Sequence, residues 1–320
     1  MIRILSVSAP NAEPAIISAP IPSPRETQIQ VRVAATALNF ADLLLIEGRY
    51  QNTPPFPMVP GLEIAGTITA IGTKVTGQKV GDRIAAIVEH GGLADYAVFE
   101  ADRALGLRDT IDDATAAAFQ ITYATAHLSL VRRARLAKGE SLVVLGAAGG
   151  AGLAAVEVAK AIGATVIAVA RGSDRLAIAR DAGADILIDS ADGDFSDALR
   201  SHAPFDVVYD AVGGANGTAA ARRLKPEGRH LLIGFASGDH PTLKANHLLV
   251  KNIDVIGFNI SAYSKINPTA LTDSLKTLLH WHAKGAIRPH IGHTYPLAQA
   301  NAALDLLKSR KATGKIVITP

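Results

Sequence analysis

Two textures of apolar and polar positions divide the chain. From Met1 to about Ala117 the apolar runs are short. Gln28 to Val33 places Ile29, Val31 and Val33 on one face and Gln30 and Arg32 on the other, the two-residue period of a half-buried strand. Between Glu63 and Ile87, short β-branched runs are separated by Gly66, Gly72, Gly77 and Gly81. Prolines crowd two stretches, Pro10 to Pro24 and Pro54 to Pro60, where they punctuate loops because proline cannot donate to an interior ladder. This pattern predicts a small, strongly bent antiparallel barrel or sandwich. Near Asp112 the texture changes to alanine-rich helix, then to strand alternating with helix. Six strands are predicted: Leu142–Leu145, Thr165–Ala170, Ile186–Ile188, Asp206–Tyr209, His230–Ile233 and Ile253–Gly257. Helical stretches separate the first five, and a longer irregular crossover precedes the sixth. Two βαβαβ halves of this kind make a doubly wound parallel sheet. Asn267 and Pro268 then read as N-cap and N1 of a helix ending near Gly285. Tyr295 to Ile318 holds one more helix and a strand returning to the first domain. The expected class is α/β, with a β-rich domain at 1–117, a doubly wound domain at 118–260 and a returning segment at 261–320.

The stretch SLVVLGAAGGAGLAAVEVAKA (Ser141–Ala161) organises the second domain. Its apolar run suits a strand buried on both faces, and Gly149, Gly150 and Gly152 lead into an alanine-rich helix. Strand, glycine turn and helix in this order bring backbone N–H groups to a positive helix N-terminus, where a pyrophosphate can sit. Against G-x-G-x-x-G the chain reads Ala147, Gly149, Gly152, with Gly146 one place early. A tight βα turn that binds nothing is the competing reading. About twenty residues on, an NAD-selective fold carries an acid for the ribose 2′-OH. Here the residues are Ala170, Arg171, Gly172 and Ser173. Arg171 and Arg175 suit a 2′-phosphate, which favours NADP(H) over NAD(H); the alternative is two solvated arginines at the start of a surface helix. Asp174 is the residue that opposes the assignment, although a first-turn acid also suits the helix dipole.

Composition narrows the chemistry. At 320 residues there is room for two domains, and 48% hydrophobic residues with 19% charged are those of a globular enzyme. The net charge of +3 comes with no basic block, so nothing demands nucleic acid. The absence of cysteine excludes disulfides, thiolate nucleophiles and Cys-ligated zinc. His280 and His282 are two apart and point to different sides of a helix, while His290 and His293 straddle Gly292 with no third ligand, so no metal site is expected. No stretch is long and apolar enough to span a bilayer, and no cleavage pattern opens the chain; a cytoplasmic enzyme is the default expectation.

The strings NFADLLLIEGRY (Asn39–Tyr50), VPGLEIAGTITAIG (Val59–Gly72), KVGDRI (Lys79–Ile84) and GAAGGAGLAAVEVAK (Gly146–Lys160) occur in order. They are followed by VVYDAVGG (Val207–Gly214), LLIGFASG (Leu231–Gly238) and RKATGKIVI (Arg310–Ile318). Together they resemble the zinc-free quinone oxidoreductases of the zeta-crystallin type, within the medium-chain dehydrogenase/reductase superfamily. The resemblance covers essentially the whole chain. It implies a GroES-like catalytic domain with a Rossmann domain, NADPH as cofactor, and a dimer or pair of dimers. Zinc-dependent relatives carry a ligand in a Gly-His-Glu triplet, which reads Gly61, Leu62, Glu63 here, and leucine cannot ligate a metal. Without zinc the acceptor must need little Lewis-acid help: a quinone, which hydride addition converts to a stabilised phenolate, or an alkene conjugated to a carbonyl.

In that resemblance the segment holding Asn39 approaches the nicotinamide, so Asn39 is the first choice for positioning cofactor or substrate. Asp42 and Tyr50 are further candidate catalytic groups. Asp42 reads equally as a cap for the helix through Leu45, and Tyr50, a candidate proton donor, as cover for the core edge. Leu44 stands where some relatives have a tyrosine and makes the acceptor site more apolar. The expected cofactor contacts are Thr122 near the nicotinamide, Ala148, Gly149, Gly150 and Ala151 around the pyrophosphate, Ser190 after the third strand, and Phe235 and Ala236 beside the nicotinamide ribose. Asp210 with Gly213 and Gly214 is expected to shape a turn, and Glu63 has no assigned role. The edge segment Lys251–Phe258 is expected to pair with its copy in a homodimer. The sequence thus points to an NADPH-dependent quinone reductase. The alternatives are a reductase of conjugated enones or enoyl thioesters, and a non-catalytic NADPH-binding protein with an RNA or protein partner. The last would need a basic stripe, and only Arg132, Arg133, Arg135 and Lys138 come close.

Overall fold

The structure, a computed structural model, describes residues 1–191 and 195–320. The chain forms two compact units: Met1–Ile121 with Ile291–Pro320, and Thr122–His290.

The first unit is β-rich. Strands β1 (Ile2–Ser6) and β2 (Ala15–Ala19) form an antiparallel pair. Then come β3 (Gln28–Ala37), helix α1 (Phe40–Ile46), and β4 (Glu63–Ile71), β5 (Arg83–Ile87), β6 (Tyr96–Glu100) and β7 (Ala104–Gly106). The alternation read along β3 is real: Ile29, Val31 and Val33 are buried with Ile64, Ile68 and Ile84 of β4 and β5, while Arg32 is exposed. Each such aliphatic side chain contributes about 1.5–3 kcal/mol on burial. Gln30 departs from the pattern. It is buried on the polar face because its amide donates to the Pro22 carbonyl (2.6 Å) and accepts from Thr69 Oγ1 (2.6 Å).

Helix α2 (Asp113–His127) begins in the first unit and ends in the second. The second unit continues with β8 (Ser141–Leu145), α3 (Gly150–Ile162), β9 (Thr165–Ala170), α4 (Ser173–Asp181), β10 (Ile186–Asp189) and α5 (Phe195–Ser201). Its other half is β11 (Phe205–Asp210), α6 (Gly214–Arg222), β12 (Leu224–Leu232), α7 (Ala245–Lys251) and β13 (Asp254–Gly257). All six strands pair in parallel in the order β10-β9-β8-β11-β12-β13, which reverses between β8 and β11, the doubly wound arrangement. All six predicted strands are present. β12 starts at Leu224, earlier than its apolar run suggests, and the crossover before β13 contains the short helix α7.

Helices α8 (Ile260–Ile266) and α9 (Pro268–Ala283) follow. Asn267 Oδ1 accepts from the Ala270 N–H (3.0 Å) and Pro268 occupies N1, as the sequence indicates. Both helices belong to the second unit. α9 buries Leu271, Leu275 and Leu278, and Ser274 Oγ lies 2.8 Å from His127 Nδ1 of α2. The return to the first unit therefore starts at Ile291, later than the boundary at 261 expected from the sequence. There β14 (Ile291–Pro296), α10 (Ala300–Lys308) and β15 (Lys315–Thr319) complete a seven-stranded sheet, β14-β15-β3-β4-β5-β7 with β6 also on β3.

Candidate active site

In the second unit, the carboxyl ends of the strands collect most of the residues that the sequence singled out. After β8 the chain turns at once: the N–H groups of Gly146 and Ala147 both donate to the Val169 carbonyl (3.0 and 2.9 Å). Gly149 is the extended N-cap of α3, with φ −82° and ψ 165°. A Cβ on Gly152 would collide with the Gly146 carbonyl and the Ala147 Cα, so the third glycine is what lets the helix start this close to the turn. Gly150 and Ala151 are half-buried at the first helical positions, where backbone N–H groups have no intrahelical acceptor. Ala148 is buried against Ala170 and Leu176. This is a cradle lined by backbone donors at a helix N-terminus, and it fits a pyrophosphate.

At the end of β9, Arg171 is exposed and Arg175 is half-buried in the first turn of α4. Ser190 follows β10, and its N–H donates to the Ala170 carbonyl (2.9 Å). Next to it stands Asp189, which sequence reasoning passed over. Both of its carboxylate oxygens lie 3.0 Å from the Gly172 N–H, and Oδ1 also accepts from Ala191 (2.8 Å). These backbone donors hold its carboxyl below the usual range. The acid is tied to the loop that carries Arg171, just before the helix that carries Arg175. After β12, the Ala236 N–H donates to the Ala211 carbonyl (3.2 Å), and the Phe235 ring lies 4.3 Å from that of His240. Thr122 is buried in α2.

The first unit holds a buried polar cluster. Asn39, Asp42, Glu63 and Lys315 are 8%, 0%, 0% and 4% exposed, so every charge there must be met from within. Lys315 Nζ donates three hydrogen bonds of 2.8 Å, to the Leu38 carbonyl, Asn39 Oδ1 and Glu63 Oε1. Asn39 Nδ2 donates to Glu63 Oε1 (2.8 Å) and the Ala37 carbonyl (3.2 Å), and Glu63 Oε2 accepts from the Ile121 N–H in α2 (2.8 Å). Asp42 Oδ2 caps α1 by accepting from the Asn39 N–H (2.8 Å), while Oδ1 accepts from Gly61 (2.9 Å). Burial raises the Asp42 carboxyl to about 6, against the opposing pull of those donors and of Lys315.

The structure thus brings Asn39 and Asp42 together and engages both in the cluster; the helix-capping reading of Asp42 describes its geometry. Tyr50 is half-buried against the apolar group Val7, Leu45, Met58 and Leu62. Leu62, in the position where the resemblance puts a zinc ligand in other proteins, is core. Lys315 and the role of Glu63 were missed by sequence reasoning. The available signal was an ionisable residue opening each of two otherwise uncharged strands, EIAGTITAI and KIVIT.

Among the described residues, no three or more His, Cys, Asp or Glu side chains are grouped so as to hold a metal ion, and no helix is long and apolar enough to cross a membrane. Residues 25–109 match the family described as alcohol dehydrogenase GroES-like domain, and residues 150–276 match that described as zinc-binding dehydrogenase. A quinone oxidoreductase-like protein 2 homolog from Nematostella vectensis is 34% identical over 298 residues, 91% of this chain and 81% of that protein. The crystal structure of Escherichia coli quinone oxidoreductase complexed with NADPH superposes with a TM-score of 0.91 at 27% identity, covering all of both chains. A segment of a mycocerosic acid synthase-like polyketide synthase from Mycolicibacterium smegmatis is 32% identical over 92% of this chain, which spans 14% of that protein. A GroES-like unit and a doubly wound unit with a glycine cradle define a two-domain oxidoreductase. The chain belongs to the quinone-oxidoreductase-like family of the medium-chain dehydrogenase/reductase superfamily.

Proposed function

We propose that the protein is a zinc-independent reductase that transfers hydride from NADPH to a quinone. The observation that carries this reading is the glycine cradle at the carboxyl end of β8, followed at the end of β9 by Arg171 and Arg175. The α3 N-terminus with Ala148, Gly149, Gly150 and Ala151 would hold the pyrophosphate, Arg171 and Arg175 the 2′-phosphate, Ser190 the adenosine side, and Thr122, Phe235 and Ala236 the nicotinamide side. Bound there, NADPH supplies a hydride. A quinone that gains the hydride becomes a phenolate and needs one proton to reach the hydroquinone, which water can supply without a metal. Asn39 and Lys315 fix each other's side chains and hold the Leu38–Asn39 segment rigid. A homodimer through β13 and a cytoplasmic location belong to the same proposal.

The likeness to a polyketide synthase segment favours one second reading, reduction of conjugated enones or enoyl thioesters on the same fold. The test is oxidation of NADPH, and separately NADH, by the purified protein with an ortho-quinone, a para-quinone and a simple enone. Faster turnover with NADPH and a quinone is expected. Turnover with the enone alone would move the function to alkene reduction, and no turnover with any acceptor would overturn both.

A further inference from the structure

Asp210 and His230 are each 0% exposed, and neither is explained by the cradle described above. Asp210 ends β11, and His230 lies on the neighbouring β12, opposite Val208 in the parallel register. His230 Nε2 is 3.2 Å from Asp210 Oδ2. The other carboxylate oxygen accepts the N–H groups of Val212 (2.9 Å) and Gly213 (2.7 Å). Because a carboxylate only accepts, the histidine tautomer that completes this set carries its proton on Nε2. His230 Nδ1 is buried and has no partner among the described residues.

The pair controls more than one turn. The backbone carbonyl of Asp210 accepts from Ile233 (2.9 Å) and Gly234 (3.2 Å), so one residue fixes the start of the loops after both β11 and β12. Those loops then lock to each other: Ala236 N–H to the Ala211 carbonyl (3.2 Å), Ser237 N–H to the Val212 carbonyl (2.8 Å), and Gly214 N–H to the Asp239 carbonyl (2.9 Å). Val212 also lies against the cradle, since a Cβ on Gly146 would come within 3.0 Å of Val212 Cγ2. In a sheet of this order each βαβαβ half serves one mononucleotide, and the glycine turn and Arg171 belong to the first half. The loops that Asp210 holds belong to the second.

We propose that Asp210 and His230 form a buried positioning pair for the nicotinamide half of the dinucleotide: His230 orients the Asp210 carboxylate, which sets the 211–214 turn and, through it, the 233–239 loop. The inference rests on the dinucleotide reading above. It predicts a split that general destabilisation would not produce. His230→Leu should weaken NADPH binding about tenfold, a loss of about 1.4 kcal/mol, while leaving 2′,5′-ADP, which reaches only the first half, within about twofold of the wild type. His230→Gln, which can donate a hydrogen bond to Asp210, should recover most of the NADPH affinity. Dissociation constants for both ligands are measured by titration on the intact chain, with the melting temperature followed in parallel. Equal losses for NADPH and 2′,5′-ADP, or unchanged NADPH affinity in a folded His230→Leu protein, would overturn the positioning role. Should His230→Leu not fold, the comparison passes to Asp210→Asn, which takes away the carboxylate that accepts from His230 Nε2, and NADPH affinity that moves only in step with the 2′,5′-ADP affinity there overturns it equally. A wild type that binds neither NADPH nor NADH overturns the dinucleotide reading itself, and the pair's role falls with it.

Discussion

Replacing Lys315 by methionine isolates the interaction that holds the first unit's buried cluster together. Methionine keeps much of the length and the apolar stem but removes the ammonium, with its three hydrogen bonds of 2.8 Å to Leu38, Asn39 and Glu63. Their energies are not simply added, because the ammonium was itself desolvated to make them. What decides the outcome is the partner left behind. Glu63 is 0% exposed and, among the described residues, would keep only the Asn39 amide and the Ile121 N–H. Removing one member of a buried ion pair in this way costs about 3–5 kcal/mol. For a unit of this size, where each kcal/mol moves the midpoint by roughly 2–4 °C, the first unfolding transition should fall by about 10 °C. Adding Glu63→Gln removes the stranded charge, so the double variant should be more stable than Lys315→Met alone by about 2 kcal/mol. Calorimetry of the wild type, both single variants and the double variant closes the cycle. A single variant within about 1 kcal/mol of the wild type, or a double variant whose loss equals the sum of the singles, refutes the reasoning. The same substitution removes the cation that draws the Asp42 carboxyl down, so that carboxyl should titrate above about 6 in the variant.

Three further outcomes are expected. Glu157 is buried in α3, where its Oε2 accepts from Tyr123 Oη (2.7 Å) and the Arg288 N–H (2.8 Å), and burial raises its carboxyl to about 7. A carboxyl that binds its proton more tightly when folded makes stability fall as pH rises from about 4.5 towards about 7, so Glu157→Gln should gain on the wild type by up to about 3 kcal/mol between pH 5 and pH 8; parallel melting profiles across that range would rule this out. Arg171→Ala should raise the KM for NADPH about tenfold and leave that for NADH nearly unchanged, and equal losses would remove Arg171 from the 2′-phosphate site. The wild type should sediment as a dimer and Val255→Lys, on the edge strand β13, as a monomer; a wild type that is already monomeric defeats the edge-pairing proposal.

The doubly wound unit was legible because its strands are buried on both faces, which leaves continuous apolar runs such as Leu142–Leu145 and Thr165–Ala170 in the sequence. Once the strand ends are known, the residues just after them are known too, and that is how Gly149 and Arg171 became candidates, whereas Ser190 came from the family resemblance. The parts that escaped share a different physics. A buried charge is explained only by its partner, and partners come from anywhere in the chain: Lys315 meets Glu63 across 252 residues, and Arg288 meets Glu157 across 131. Neither periodicity nor a local motif encodes such a meeting. Gln30 shows the same limit on a smaller scale, since its burial depends on Pro22 and Thr69 closing over its amide. Asp210 and His230 lie between the two cases. Their strands were predicted, and adjacent parallel strands β11 and β12 bring them two positions apart in register, on one face, yet an aspartate at a strand end reads as a turn former until the imidazole beside it is seen. What the local pattern withholds in this protein is therefore the set of polar contacts that decides which backbone turns are rigid, and with it the part of the proposed dinucleotide site that depends on rigid loops.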